Sequence, residues 1–207
     1  MNRPVAMAAA PATESFDALM ARIHACQVCT RHLPHGCRPV LQAHPDARLL
    51  IVSQAPGRKV HETGVPFNDK SGEKLRAWLG IDNATFYDPH RVAIVPMGFC
   101  YPGKSESGDL PPRPECAPLW HPRLMPRLVN IALTLAIGSY AIRGMLGNQR
   151  KATLTATCEA WREYFDGGVL PLPHPSPRNT AWFQRHPWFE TETLPALKRR
   201  VRKLMRD

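Results

Sequence analysis

Leu49-Leu50-Ile51-Val52-Ser53-Gln54-Ala55-Pro56-Gly57, residues 49–57, joins a continuous aliphatic run to a run of turn residues. Four aliphatic side chains in a row leave no polar face for water, so the run reads as a strand buried on both sides, as in a parallel sheet. Ser53 to Gly57 end it with proline and glycine chemistry. Val92-Ala93-Ile94-Val95 and Ile131 to Ile137 repeat the pattern downstream, and Val169-Leu170-Pro171-Leu172 is a fourth, shorter strand. Pro171 cannot donate to a ladder, which assigns that strand to a sheet edge.

Helical spacing fills the intervals. Ser15 to Ala25 places Phe16, Leu19, Met20 and Ile23 on one face. After a polar loop to Phe67, Asp69 or Ser71 caps a helix with the stripe Leu75, Trp78 and Leu79, stopped by Gly80. Further helices are expected over Pro118 to Val129, after the Gly138 turn, over Thr155 to Phe165, and from about Thr193, with Pro195 in the first turn. Gly98 to Cys116 reads as a long loop, a feature usually tied to function in a compact domain. Strands alternating with helices predict an α/β fold: a three-layer α/β/α sandwich around a mostly parallel central sheet. Ligands bind such sheets beyond the carboxyl ends of the strands. Two segments lie there, the Gln54 turn and His174-Pro175-Ser176-Pro177-Arg178-Asn179.

The 207 residues suit one domain, read as residues 16–207 behind a disordered tail over residues 1–15. A formal net charge of +10 points to a polyanion such as nucleic acid. The C-terminal helix adds Lys198, Arg199, Arg200, Arg202, Lys203 and Arg206 around a stripe of Leu197, Val201, Leu204 and Met205. No apolar run reaches the roughly 18 residues of a membrane span. Ala8 to Ala10, broken by Pro11, make no signal peptide. The chain is therefore expected as a cytoplasmic monomer without a membrane partner.

Six cysteines without signs of secretion suggest metal binding or burial before disulfides. Cys26-x-x-Cys29 puts two thiolates on one tight turn, and Cys100 and Cys116 bracket the long loop. Four thiolates suit either tetrahedral Zn²⁺ or an iron–sulfur cluster. Cys158, on a helix, reads as buried, and Cys37 as a spare ligand or a loop residue.

These pieces, taken in order, resemble the iron–sulfur uracil-DNA glycosylases of bacteria and archaea, within the uracil-DNA glycosylase superfamily. Those proteins open with a CxxC. A strand, a Gly-Glu-Ala-Pro-Gly-like turn and a Gly-x-Pro-Phe segment before a helix follow, then a second cysteine pair and a His-Pro loop. The counterparts here are Cys26 to Cys29, Ser53 to Gly57, Gly64-Val65-Pro66-Phe67, Cys100 with Cys116, and His174 to Asn179. The resemblance spans about residues 15–205. It implies a uracil-DNA glycosylase-like fold, DNA as partner, and a [4Fe–4S] cluster rather than zinc on Cys26, Cys29, Cys100 and Cys116. Three positions depart from the family pattern. Gln54 stands where a carboxylate is usual, Val60 aligns with a further acid, and Val95 to Phe99 lack an expected asparagine. The His-Pro-Ser-Pro-Arg-Asn loop itself is similar to that of single-strand-selective uracil glycosylases, which suggests a bacterial protein of a divergent branch.

The resemblance also implies roles. A base flipped from DNA needs an aromatic platform and partners along its edge. Phe67 is the platform candidate, with core packing as the plainer reading; Gln54, a catalytic candidate beside His174, and the backbone around Ala55 would read the base edge, and Gly57 belongs to the same substrate turn. His174 would donate to a base carbonyl as negative charge develops. Ser176 belongs to the substrate loop, Arg178 would fill the vacated stack or contact phosphate, and Asn179 would brace the loop. His61, Glu62 and Asp69 are equal candidates for activating water. Trp182, Phe183, Trp188 and Phe189 read as core rather than base contacts. The leading expectation is a DNA glycosylase acting on uracil or another deaminated base in single- or double-stranded DNA. A glycosylase-like DNA-binding module with little catalysis is the alternative, and an electron-transfer protein the third.

Overall fold

The computed structural model describes residues 14–106 and 108–206. In chain order the elements are α1 (Phe16–His24), β1 (Leu49–Val52), α2 (Arg58–Thr63), α3 (Lys70–Leu79), α4 (Asn83–Phe86), β2 (Val92–Ile94), the two-residue strands β3 (Lys104–Ser105) and β4 (Gly108–Asp109), α5 (Cys116–Leu124), β5 (Leu133–Ile137), α6 (Gly138–Leu146), α7 (Leu154–Glu159), α8 (Trp161–Phe165), β6 (Val169–Leu172), α9 (Thr180–Arg185) and α10 (Leu194–Leu204). The reading of residues 1–13 as a tail lies outside the described residues. Of its last two residues, Ser15 caps α1 by accepting from the Ala18 amide, and Glu14 pairs with Arg22 at 2.9 Å.

The main sheet is parallel, in the order β2-β1-β5-β6. All four residues of β1 are buried, as their unbroken aliphatic run requires. Strand alternation sends them to opposite sides. Leu49 and Ile51 join Val92, Ile94, Leu133 and Leu135 in one core, covered by α3, α10 and the rings of Phe86, Phe183 and Phe189. Leu50 and Val52 join Ala93, Val95 and Ala136 in a second core, covered by α1, α5 and α6. Each fully buried aliphatic side chain contributes about 1.5–3 kcal/mol. The chain is thus the expected three-layer α/β/α sandwich around a parallel sheet. β6, with Pro171, takes an edge.

The helix signals hold for α3, where the Asp69 carboxylate accepts from the Gly72 amide at 2.8 Å and Gly80 ends the helix at φ +68°. α10 starts at Leu194, with Pro195 in its first turn. Three expectations need correction. α2 occupies part of the expected polar loop: it buries only Val60, so it carries no stripe for periodicity to detect. The single helix expected over residues 155–165 is two, α7 and α8. The break at Ala160 lets Trp161 enter the first core while Cys158 and Tyr164 stay in the second. α5 begins at Cys116 and stops at Leu124, where Pro126 turns the chain into a 3₁₀ turn over Met125–Arg127. Phe183 and Phe189 are buried, and Trp182 and Trp188 pack against the two cores, so this aromatic cluster is packing.

Candidate active site

Beyond the carboxyl end of β1 the chain stays paired with the segment after β2: the Ser53 carbonyl accepts from Met97 N at 2.8 Å and the Gln54 carbonyl from Gly98 N at 2.9 Å. These bonds hold the turn rigid at the mouth of a cavity of about 450 Å³. Gln54, Ala55, Gly57, Phe67, His174, Ser176, Arg178 and Asn179 all line that one cavity, although they come from segments more than 100 residues apart. Val60 also lines it, so an apolar side chain occupies the wall where an acid was expected. Asp69 lines it too; Glu62 instead pairs with Arg58 at 2.9 Å and His61 packs toward His35 and Tyr101.

Phe67 packs in the core and also lines the cavity. It is 8% exposed and meets Phe86 edge-on at 6.2 Å in the first core. Its φ of +53° is left-handed, a strained backbone for a bulky residue. Its carbonyl lies against the backbone of Gly72, where a methyl group would overlap it, and accepts from Arg76 Nη1 at 3.3 Å. Strain of this kind persists only where the surroundings over-determine it, and here it falls on a residue that lines the cavity.

The loop after β6 is braced internally. Asn179 Nδ2 donates to the His174 carbonyl at 2.7 Å, and Ser176 Oγ accepts from the Arg178 amide at 3.2 Å. Burial lowers the His174 pKa below its usual value, opposed by the nearby carboxylates of Asp69 and Asp109. The imidazole is therefore neutral at pH 7 and retains one N–H to donate. Arg178 is exposed, but its guanidinium lies over Gly108: a methyl group there would come within 2.8 Å of Nη1. It spans from the His174 loop to the β3–β4 hairpin.

That hairpin brings in a residue the sequence reading missed. Asp109 lines the cavity, and a methyl group on Gly57 would lie 3.6 Å from its Oδ2, so the carboxylate stands over the turn that follows β1. Gln54 Nε2 donates to the Leu110 carbonyl at 3.2 Å and ties the hairpin down. Asp109 sits in a loop without periodicity, and only the fold of the hairpin places it here. The basic end of α10, expected to serve DNA, lies elsewhere. Arg200 reaches the Ala132 carbonyl and the Met205 carbonyl accepts from Arg91, both at the amino ends of strands, away from the cavity. Arg178 lines the cavity, Arg58 follows Gly57 in the chain, and Lys104 is in register with Asp109.

A separate pocket gathers Cys26, Cys29, Cys100 and Cys116, together with Cys37. It joins the turn after α1, the segment after β2 and the first residue of α5. All five thiols are free, and Cys116 Sγ accepts from the Phe99 amide at 3.3 Å. Burial pushes the Cys100 and Cys116 pKa values up to about 12 and raises that of Cys29. A buried cation would be needed to hold them as thiolates. Among the described residues no three cysteine sulfurs lie within 4.8 Å of one another. Four-thiolate zinc, with bonds of about 2.3 Å, needs sulfurs about 3.8 Å apart. Cys158 is separate, buried in the second core. The model of the Uracil DNA glycosylase superfamily matches residues 41–198. The match takes in all eight cavity residues named first and leaves Cys26, Cys29 and Cys37 outside it.

Proposed function

Because the chain belongs to the Uracil DNA glycosylase superfamily, whose members are generally DNA glycosylases, we propose that it releases uracil or another deaminated base from DNA. The observation that carries this reading is the single cavity joining the Phe67 ring, the neutral His174 and two carboxylates, Asp69 and Asp109. A flipped base stacks on Phe67 and meets the backbone of Gln54 and Ala55 along its edge. As the bond from C1′ to the base nitrogen breaks, its electron pair moves onto the base, and His174 donates to the base oxygen that gains charge. A water adds its oxygen to C1′ and gives its proton to a carboxylate.

Gln54 cannot be that carboxylate, since an amide takes up no proton at neutral pH and its nitrogen is spent on Leu110. We assign the role to Asp109, on the segment Gln54 tethers. Asp69 commits one oxygen to capping α3 and contributes negative charge toward the sugar cation. Purified protein incubated with oligonucleotides containing uracil, hypoxanthine or xanthine, then treated with alkali, should give strand breaks on at least one. DNA binding with no release on any of them would favour the binding-module reading.

We also propose that Cys26, Cys29, Cys100 and Cys116 hold a [4Fe–4S] cluster, with Zn²⁺ as the alternative. All four cysteines line one pocket, and the resemblance to the iron–sulfur glycosylases carries the choice of a cluster over zinc. Bound there, it would clamp α1, the segment after β2 and α5 together, remote from the chemistry. Anaerobically purified protein should be brown, with about four irons per chain. Cys116→Ala should lose the iron and melt lower, and Cys158→Ala should keep the iron. A colourless, folded protein with one zinc would overturn the cluster assignment.

A further inference from the structure

We propose that His44, Asp46 and His90 form a second metal site, for one borderline divalent cation such as Zn²⁺ or Ni²⁺, at the amino edge of the sheet. His44 and Asp46 lie on the loop leading into β1, and His90 on the loop leading into β2. Cavity and site thus occupy opposite ends of the same strands, and the inference stands independently of the glycosylase reading. Asp46 Oδ2 lies 3.4 Å from His44 Nδ1 and 3.2 Å from His90 Nδ1, and one ligand atom from each residue falls within 4.8 Å of the other two. Zinc held tetrahedrally by nitrogen and oxygen at about 2.0–2.2 Å has ligand-to-ligand edges of about 3.3–3.6 Å. Both distances lie close to that range, and the shorter one is a hydrogen bond from His90 Nδ1 to the carboxylate, whose proton an incoming metal would displace.

The donor set also suits the ion. Two imidazoles and one carboxylate are ligands for zinc and nickel rather than for calcium or magnesium. The Asp46 amide donates to His44 Nδ1 at 3.2 Å, which selects the tautomer with an unprotonated Nδ1, the form a metal needs. This long hydrogen bond is the contact the metal would replace. Both Nδ1 atoms face the same Asp46 oxygen, Oδ2, and the two imidazole centroids are 3.8 Å apart with planes at 38°.

The loops that carry the rings are held before any metal arrives. Phe16, at the start of α1, meets His44 edge-on at 6.2 Å, and the His90 amide donates to Asp88 Oδ1 at 3.0 Å. Asn130 Nδ2 donates to the Pro45 carbonyl at 3.2 Å between the two ligands of the first loop. The Asp46 side chain is 62% exposed, which leaves solvent access for a water as fourth ligand. Phe16 begins α1 and the cysteine pocket follows its end, so the length of that helix, about 14 Å, separates this site from Cys26. A bound ion would cross-link the loops that lead into the two paired strands β1 and β2.

Untagged, iron-loaded protein titrated with Ni²⁺ or Zn²⁺ in a calorimeter tests this. Wild type should bind one equivalent, and its Tm should rise by roughly 5–10 °C at about 100 times Kd. His90→Ala should weaken binding at least tenfold and abolish the rise, with iron content and DNA binding unchanged; His44→Ala should do the same. All three ligands are at least partly exposed, so the variants keep their fold, which circular dichroism would verify. Identical isotherms and melting curves for wild type and His90→Ala, or no binding by wild type, would overturn the proposal.

Discussion

His174→Ala is expected to lower the single-turnover rate of base release about 100-fold or more while leaving DNA affinity nearly unchanged. The ground-state base carbonyl is neutral and gains little from one donor. The departing base carries nearly a full negative charge, and a donor fixed in a rigid wall is worth most there. Loss of one such donor typically costs 10²–10³-fold, about 2.7–4 kcal/mol. The wall is rigid here because Asn179 holds the His174 carbonyl and two prolines flank Ser176. The pH dependence has a defined sign. Burial lowers the His174 pKa from 6.5, so the working form is the neutral imidazole. The single-turnover rate should then not decline as pH is raised from about 6.5 to about 8. A tenfold decline per pH unit across that range in wild type, absent in the variant, would show that the imidazolium is required.

The second large effect is at Asp109. Asp109→Asn should reduce base release by about 10²-fold or more, the range of a lost general base. The neutral amide keeps the shape of the carboxylate but accepts no proton, and Gly57 leaves room for it above the β1 turn. Asp69→Asn separates the two carboxylates. It keeps a cap oxygen for the Gly72 amide, so α3 is largely preserved, and it should cost less in rate than Asp109→Asn. Full activity in Asp109→Asn with the rate lost in Asp69→Asn would move the water-activating role to Asp69. The hairpin has its own support, through Gln54 to Leu110 and Arg178 over Gly108, so the change at Asp109 removes charge without releasing the segment.

Short-range chemistry is legible in the amino-acid sequence alone. Aliphatic runs without a polar face had to be buried strands, and Pro171, unable to donate, could serve only at an edge. Asp69 and Gly80 bounded α3 because one supplies a cap oxygen and the other accepts a left-handed backbone. The Gln54 turn and the His174 loop could be assigned to one end of the sheet because each follows a strand. Other features have no local signature. Asp109 reaches the cavity through a hairpin of two-residue strands, Gln54 is a tether because Leu110 lies across from it, and the basic turns of α10 face the amino edge because its apolar stripe packs on α3 and the first core. His44 and His90, 46 residues apart in the chain, meet only because β1 and β2 are paired neighbours. Local chemistry selects the elements; which side chains face each other across a cavity or a loop depends on strand order and packing, and these exist only once the whole sheet has formed.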